Sequence, residues 1–541
     1  VAWREADVST RSLVAGWTVL SILLVPAIWL SFQTPFTLVD DYGDWCVLSW
    51  AKRPALLKKW LLTTFMGDPQ RYRPFFEAYN WLSWRILGDH PGLHHLLRWV
   101  VLGLIVWLAW RTLRIIEGRF AGPACLVLAW ILLLFPNQPV ARLAPQELNS
   151  VLFLCVTLLG VTRVLRAPDA SLASASPSNL AILFTGFVGL SVSKESNLPV
   201  MAWVLLWLLL RHSRPFRLRT GTTLSLLAAV LAFTAWRAAA VSQAAGYGTT
   251  GLNMTLLHKN ALWLFQDALQ WNTSWIITAG LVASLIPAVT PLCRALRWGV
   301  WFRRDQCHLF VLGVLAANIL SCLTSWRPVL RYWYPVLFAL SFLAALGHTR
   351  IRDFLISRSP AVRAAALAVA SAWLLYFAAA NYANYIWQFA SLHHSGHTDR
   401  VLLNGIDSLL QQGQSIAIGY RKRDPEPEMV PHARSYFMEF LPYFHGRKRV
   451  KFIEFEPPAR SDSPHLVSPR SREQGMRRMA TFEFPAQYPL FETACRISSF
   501  AQGRPFPYLN GDAGVHDFDY AWHLWAPEDA RDDTSHQKPR E

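Results

Sequence analysis

The run Leu13-Val-Ala-Gly-Trp-Thr-Val-Leu-Ser-Ile-Leu-Leu-Val-Pro-Ala-Ile-Trp-Leu30 is followed almost at once by Thr37-Leu-Val-Asp-Asp-Tyr-Gly-Asp-Trp45. The first stretch carries no charge and has close to the twenty apolar residues that cross a bilayer as a helix. The second puts three carboxylates, Asp40, Asp41 and Asp44, within five positions, where such a helix should be leaving the membrane. Ionisable groups at that depth are costly and usually functional. Two adjacent carboxylates can supply a general base and its supporting partner. The bland reading is an acidic juxtamembrane loop, and this stretch alone does not separate the two.

The rest of the chain repeats the first motif. Of its 541 residues 53% are hydrophobic and 26 are Trp, and its mean hydropathy is +0.22. Apolar runs recur to about residue 387 and then stop. We read about eleven spans, near 13–33, 93–113, 121–136, 148–165, 180–193, 197–211, 220–241, 272–291, 307–325, 329–348 and 364–387. The fold class expected is an all-α polytopic membrane protein, residues 1–390, followed by a small α/β soluble domain, residues 391–541. No small-residue cleavage site follows the first run, so it is expected to be a retained helix. The many Trp suit two membrane interfaces.

The formal charge of +17 comes from Arg clusters between spans rather than from one soluble face. It points to topology, and away from nucleic acid. Arg111, Arg114 and Arg119, then Arg163 and Arg166, then Arg211, Arg214, Arg217 and Arg219 all fall on one side if the spans alternate. So do Arg294, Arg297, Arg303 and Arg304, and Arg350, Arg352, Arg358 and Arg363. The positive-inside rule makes that side cytoplasmic, which starts the N-terminus inside and leaves the C-terminal domain outside.

The outer side then receives the loop 34–92, the connection Asn137 to Glu147, the turn Ser193-Lys-Glu-Ser196, the loop 242–271, Trp326-Arg-Pro328 and the tail. Within the first loop, Asp44 to Phe65 has apolar residues at helical spacing with Lys52, Arg53, Lys58 and Lys59 opposite, as in an interfacial helix. A second helix is expected after Arg71-Tyr-Arg-Pro74, and Gly88-Asp-His-Pro-Gly92 punctuates the return to the membrane. The tail reads as helix over 400–410 and strand over 415–420 and 450–455, with disordered composition in 457–472 and 527–541.

Several charged groups converge on that side. Arg71 and Arg73 offer guanidinium groups that bind phosphate oxygens bidentately; their bland role is to hold headgroups or pair with Asp40 or Asp44. Lys194 sits in a tight helical hairpin, where an unpaired charge would be costly. We read it as a phosphate ligand oriented by Glu195, against a purely structural ion pair. Arg331 opens the tenth span, with interfacial snorkelling as its bland reading. His94 and His95 form no ligand set, and the seven Cys include no C-x-x-C pair. Cys125, Cys155 and Cys322 read as small buried hydrophobes; Cys46 and Cys495 fall on the outer side, and nothing in the sequence pairs them. There is no P-loop, Gly-x-Gly-x-x-Gly, nucleophile elbow or His-Glu-x-x-His.

Taken in order, the acidic pair, Arg71-Tyr-Arg-Pro74, Asp89-His-Pro-Gly-Leu-His-His-Leu-Leu97, Ser193-Lys-Glu-Ser-Asn-Leu-Pro199 and Arg331-Tyr-Trp-Tyr-Pro335 resemble the GT-C integral-membrane glycosyltransferases. The resemblance, over about residues 13–390, is to the branch with protein O-mannosyltransferases, tetratricopeptide-linked mannosyltransferases and bacterial aminoarabinose transferases. It implies a multi-pass protein of the bacterial inner membrane. It makes Asp40 the catalytic base with Asp41 beside it, and Lys194 with the Arg residues the ligands of a lipid-linked phosphate. The chain departs from the pattern at Arg98, where a His is frequent, and in 135–142, which lacks the His often found after the Pro.

The reaction so implied moves a sugar from a polyprenyl-phosphate donor to a protein, lipid or glycan acceptor, with inversion. Asp40 takes the acceptor proton, Asp44 and Glu195 support the site, and Arg71, Arg73, Lys194 and Arg331 stabilise the leaving phosphate. The scheme requires no cofactor or metal, although the acidic cluster leaves room for a divalent ion. Partners are the lipid donor, the acceptor and membrane lipids, with no nucleic acid. The rivals are a lipid or solute transporter, which the scarcity of charges within the spans disfavours, and a non-catalytic binder of lipid-linked sugar.

Overall fold

The computed structural model describes residues 2–36, 74–88, 90–134, 143, 147–166, 172, 175–210, 218–244, 254–263, 303–323, 334–356, 358–411, 416–421, 450–455, 465–468, 476–482, 484, 487–503 and 522–527. The described chain is mainly helical. In order, α1 (Ala2–Gln33), α2 (Pro74–Leu87), α3 (Pro91–Glu117), α4 (Ala121–Leu134), α5 (Glu147–Arg166) and α6 (Pro177–Ser193) lead into α7 (Leu198–Leu210) and α8 (Leu218–Ala244). Next come α9 (Met254–Trp263), α10 (Arg303–Leu323), α11 (Tyr334–Ile356) and α12 (Pro360–Gln411). Strands β1 (Ile416–Arg421), β2 (Val450–Phe455), β3 (His465–Ser468) and β4 (Met476–Phe482) follow, then α13 (Pro489–Gln502) and β5 (Trp522–Pro527).

Nine of the expected spans are apolar helices. Four are long and apolar enough to cross a membrane: Ser12–Gln33, Pro91–Glu117, Glu147–Leu165 and Thr220–Ala239. Five are shorter, including Ala121–Leu134 and Leu198–Leu210. At 1.5 Å per residue the 14-residue α4 is only about 21 Å long, short of the roughly 30 Å hydrocarbon core. It is apolar on every side, as a helix buried among others should be, and Leu128 through Leu134 are all buried. The expected span 364–387 lies within α12, whereas 272–291 and the interfacial helix at 44–65 lie outside the described residues.

Between helices in lipid, close packing replaces the hydrophobic effect, so small residues sit where backbones meet. The α5–α6 pair shows this. A Cβ on Gly160 would lie 2.6 Å from the Leu183 Cα, and one on Gly186 would lie 2.5 Å from the Thr157 backbone nitrogen. Neither neighbour is a side chain that can swing away. We expect Gly186→Leu to lower thermal stability in detergent by the roughly 1–3 kcal/mol of an overpacked core. Gly103→Ala, where nothing lies within 4 Å of the added carbon, should leave the melting temperature unchanged.

Around this pair α3 packs on α5, α4 on α11, α10 on α7 and α11, and α1 on α3 and α12. The apolar core runs through all of them. One group of buried polar side chains gathers at one end of the bundle: Ser31 and Thr34 on α1 and just beyond it, Asn80 and Ser83 on α2, His94, His95 and Arg98 on α3, and Glu147, Asn149 and Ser150 on α5; Thr112, Glu117, Thr220 and His308 are buried toward the other end. Direct contacts tie these ends together. Trp99 Nε1 donates to Ser31 Oγ (3.2 Å), and the rings of Phe75 and Phe153 meet edge-on at 4.7 Å. Ser321 Oγ donates to the Ser196 carbonyl (2.8 Å). Toward the other end, Arg111 and Arg114 cover Trp107 and Trp110 at 5.7 and 5.5 Å, one turn away, as interfacial Trp–Arg pairs do.

The sequence reading divides the chain at residue 390. That point falls inside α12, an unbroken helix of 52 residues, about 78 Å long. The polar run Ser391-Leu-His-His-Ser-Gly-His-Thr-Asp-Arg400 looks like the end of a span, yet it stays helical because neighbours cover it. Gly396 lets the Pro35 carbonyl approach to 2.8 Å of where a Cβ would be. Thr398 Oγ1 accepts from the Phe484 backbone (3.2 Å).

Beyond α12 the strands form one mixed sheet in the order β2-β1-β3-β5-β4. β1 pairs in parallel with β2 and β3, and β5 pairs antiparallel with β3 and β4. The sheet is joined to the bundle where His393 Nδ1 meets the Tyr488 hydroxyl at 3.0 Å, with the His397 ring stacked on Phe484. Burial, followed by the charges of His397 and His394, pushes His393 down to about 4. Burial pushes the Tyr488 phenol up, so a protonated phenol donates to a neutral imidazole. An unfolded His takes its proton near the ordinary value of about 6.5. The contact's stability is therefore complete above about pH 6.5 and is lost as pH falls toward 4. We expect the melting temperature to drop between pH 7.5 and 5, and His393→Asn to drop less.

Candidate functional site

The clearest polar node at the gathered end is built on two helix termini. Glu147 is the first residue of α5, where a carboxylate meets the positive end of the helix dipole. Lys194 caps the C-terminus of α6 in extended conformation, where a cation is favoured. The glycine-mediated packing of α5 on α6 brings the two ends together, and Lys194 Nζ lies 2.5 Å from Glu147 Oε1. Both side chains are buried. Beside them Asn197 Nδ2 reaches the Leu190 carbonyl (2.9 Å), Ser193 Oγ (3.1 Å) and Ser150 Oγ (3.2 Å). This network braces a short 3₁₀ turn, Glu195–Asn197. On its other flank, Asn260 Nδ2 donates to the Leu323 carbonyl (2.8 Å), so α9 and α10 close against the same end.

A second polar group sits under α2. Gly88, at φ +57°, turns the chain from α2 into α3, and His94 Nε2 meets its carbonyl at 3.0 Å. The His94 ring lies 4.2 Å from Trp84 and 5.6 Å from Phe36, which pins α2 over the start of α3. One turn on, Arg98 is 1% exposed and its guanidinium donates to the Tyr79 phenol, whose pKa burial nonetheless raises. The Arg that departs from the family pattern is thus a fully buried cation facing α2. Neither ring nitrogen of His95, nor Asn149 Nδ2, has a hydrogen-bond partner among the described residues.

Of the site residues expected from sequence, Lys194 is in the node. The side chain of Glu195, and Asp40, Asp41, Asp44, Arg71, Arg73 and Arg331, lie outside the described residues. The partner the structure gives Lys194 is Glu147, which the sequence reading placed on the same side without assigning it a role. Ser150 and the buried Arg98 were likewise given none. Their signal was faint: a carboxylate and two small polar residues opening an otherwise apolar run. No group of three or more metal-ligating side chains occurs among the described residues.

No protein-family model matches the chain, and no curated protein does. Among solved structures it is similar to ArnT from Cupriavidus metallidurans bound to undecaprenyl phosphate, with TM-score 0.40 and 16% identity, over 77% of this chain and 84% of that one. The apo state of the same ArnT gives TM-score 0.40 and 15% identity, over 81% of this chain and 89% of that one.

Proposed function

We propose that the chain is a GT-C-type glycosyltransferase that moves a sugar from a polyprenyl-phosphate donor to an acceptor at the outer face of the membrane. The observation that carries this reading is a buried ammonium, Lys194, held by Glu147 at the end of the bundle that also buries His95, Arg98, Asn149 and Ser150. A protein that needed only to be stable would do as well with apolar residues there. An ammonium has three donors, so an ion pair with one carboxylate is compatible with a phosphate contact. The His95 ring nitrogens and Asn149 Nδ2, buried at the same end without partners among the described residues, are the kind of group a polar ligand satisfies.

In this reading Glu147 takes the orienting role that the sequence assigned to Glu195. Lys194 stabilises the charge that develops on the leaving phosphate, assisted by Arg71, Arg73 and Arg331. Such a leaving group has low basicity and needs charge stabilisation more than protonation. Asp40 or Asp41 removes the acceptor proton, and the anomeric carbon inverts. The basic clusters of the opposite loops support placing this end outside the cytoplasm. The test is to incubate purified protein with a panel of polyprenyl-phosphate sugars and an acceptor extract. Release of polyprenyl phosphate supports the reading, and a panel with no release opposes it.

A further inference from the structure

We infer that α13, although it belongs in sequence to the C-terminal domain, lies in the outer interface of the membrane and holds that domain against the lipid. Its path is the first reason. Phe484 meets His397 and Thr398, and Tyr488, four residues on, meets His393, four residues back. The chain therefore runs antiparallel to α12, toward the part of α12 expected to span the membrane, residues 364–387. α13 begins at the residue after Tyr488 and packs along α12.

Its buried face is the second reason. Phe491, Ala494 and Cys495 belong to the same apolar core as Tyr385, Ile386 and Phe389 of the bundle. Leu524 and Trp525 of the sheet, although buried, are not part of that core. The packing thus makes α13 an element of the bundle.

Its outward surface is the third. At 3.6 residues per turn the helix has three sectors. Phe491, Ala494, Cys495 and Ser498 face α12. Glu492 and Arg496 lie on a charged sector. Between the two runs an exposed, mainly apolar stripe, Leu490, Ile497 and Phe500, with Phe500 91% exposed; Thr493 lies among them with its hydroxyl donated to the Pro489 carbonyl. An apolar stripe bordered by charges is the surface of a helix lying in a membrane interface. The occupant follows from continuity: Val369 and Leu375 are exposed on the part of α12 expected to span the membrane, and α13 packs on the same helix.

The full chain in lipid nanodiscs, photolabelled with a diazirine probe confined to the bilayer and mapped by mass spectrometry, tests this. Labelling at Ile497 and Phe500 should approach that at Val369 and Leu375, and exceed that at Met479, exposed on β4, by roughly ten-fold. Labelling at the Met479 level overturns the proposal. So does a stripe shielded from both this probe and a water-soluble carbene, which would mean that protein covers it.

Discussion

Glu147→Gln should be among the most damaging single substitutions in the bundle, and Glu147→Leu combined with Lys194→Met should largely repair the fold without restoring function. The single change removes the carboxylate and leaves the ammonium buried, a loss of about 3–5 kcal/mol when one partner of a buried pair is deleted. Lys194 is 6% exposed, so little water is at hand to take over. The double change removes both charges and keeps volume, which is commonly neutral or stabilising. The two readings of the pair part at this point. If Lys194 contacts the donor phosphate, the repaired protein lacks a charge-assisted hydrogen bond of about 1.5–3 kcal/mol and binds polyprenyl-phosphate donors at least ten-fold more weakly. Wild-type donor affinity in the repaired protein would make the pair structural only.

How much of this was legible beforehand differs by element. The spans were, because an apolar run of the right length has few alternatives to a buried helix, and nine appear close to their expected bounds. The continuity of α12 was not, although its last turns, 400–410, were expected to be helix. Ser391 to Arg400 is polar by composition, and only packing against Pro35, Phe484 and Tyr488 shows why the helix continues. Sequence placed Lys194 at a charged turn and offered its neighbour Glu195 as partner, since adjacency is all that a linear reading supplies. Glu147 lies 47 positions away. It reaches Lys194 only because Gly160 and Gly186 bring α5 and α6 together, a contact with no local signature. Similarly, Arg98 read as a departure from a motif. Its place against Tyr79 depends on how the turn at Gly88 folds α2 back.

The second large effect concerns the acidic pair Asp40-Asp41, expected from the sequence to lie in the first outer loop. Asp40 and Asp41 cannot both take the same proton. Sequence alone does not rank them; the family resemblance selects Asp40. Asp40→Asn keeps size and hydrogen-bonding capacity while abolishing basicity, so transfer should fall by at least the roughly 10²-fold typical of lost general-base catalysis. Donor binding should survive, because the cationic groups are untouched. Asp41→Asn should cost less. Loss in Asp41→Asn with near-normal transfer in Asp40→Asn would move the base by one residue.

Transfer rate and donor affinity, measured together on the purified wild type, Asp40→Asn and Asp41→Asn with a polyprenyl-phosphate sugar that the wild type cleaves, bear most directly on the central claim. The account predicts release of polyprenyl phosphate by the wild type, a loss of about 10²-fold or more in Asp40→Asn, and donor affinity unchanged in both variants. Near-normal transfer in both variants would remove the acidic pair from the chemistry, and a wild type that binds such donors without ever releasing the phosphate would contradict the assignment as a transferase.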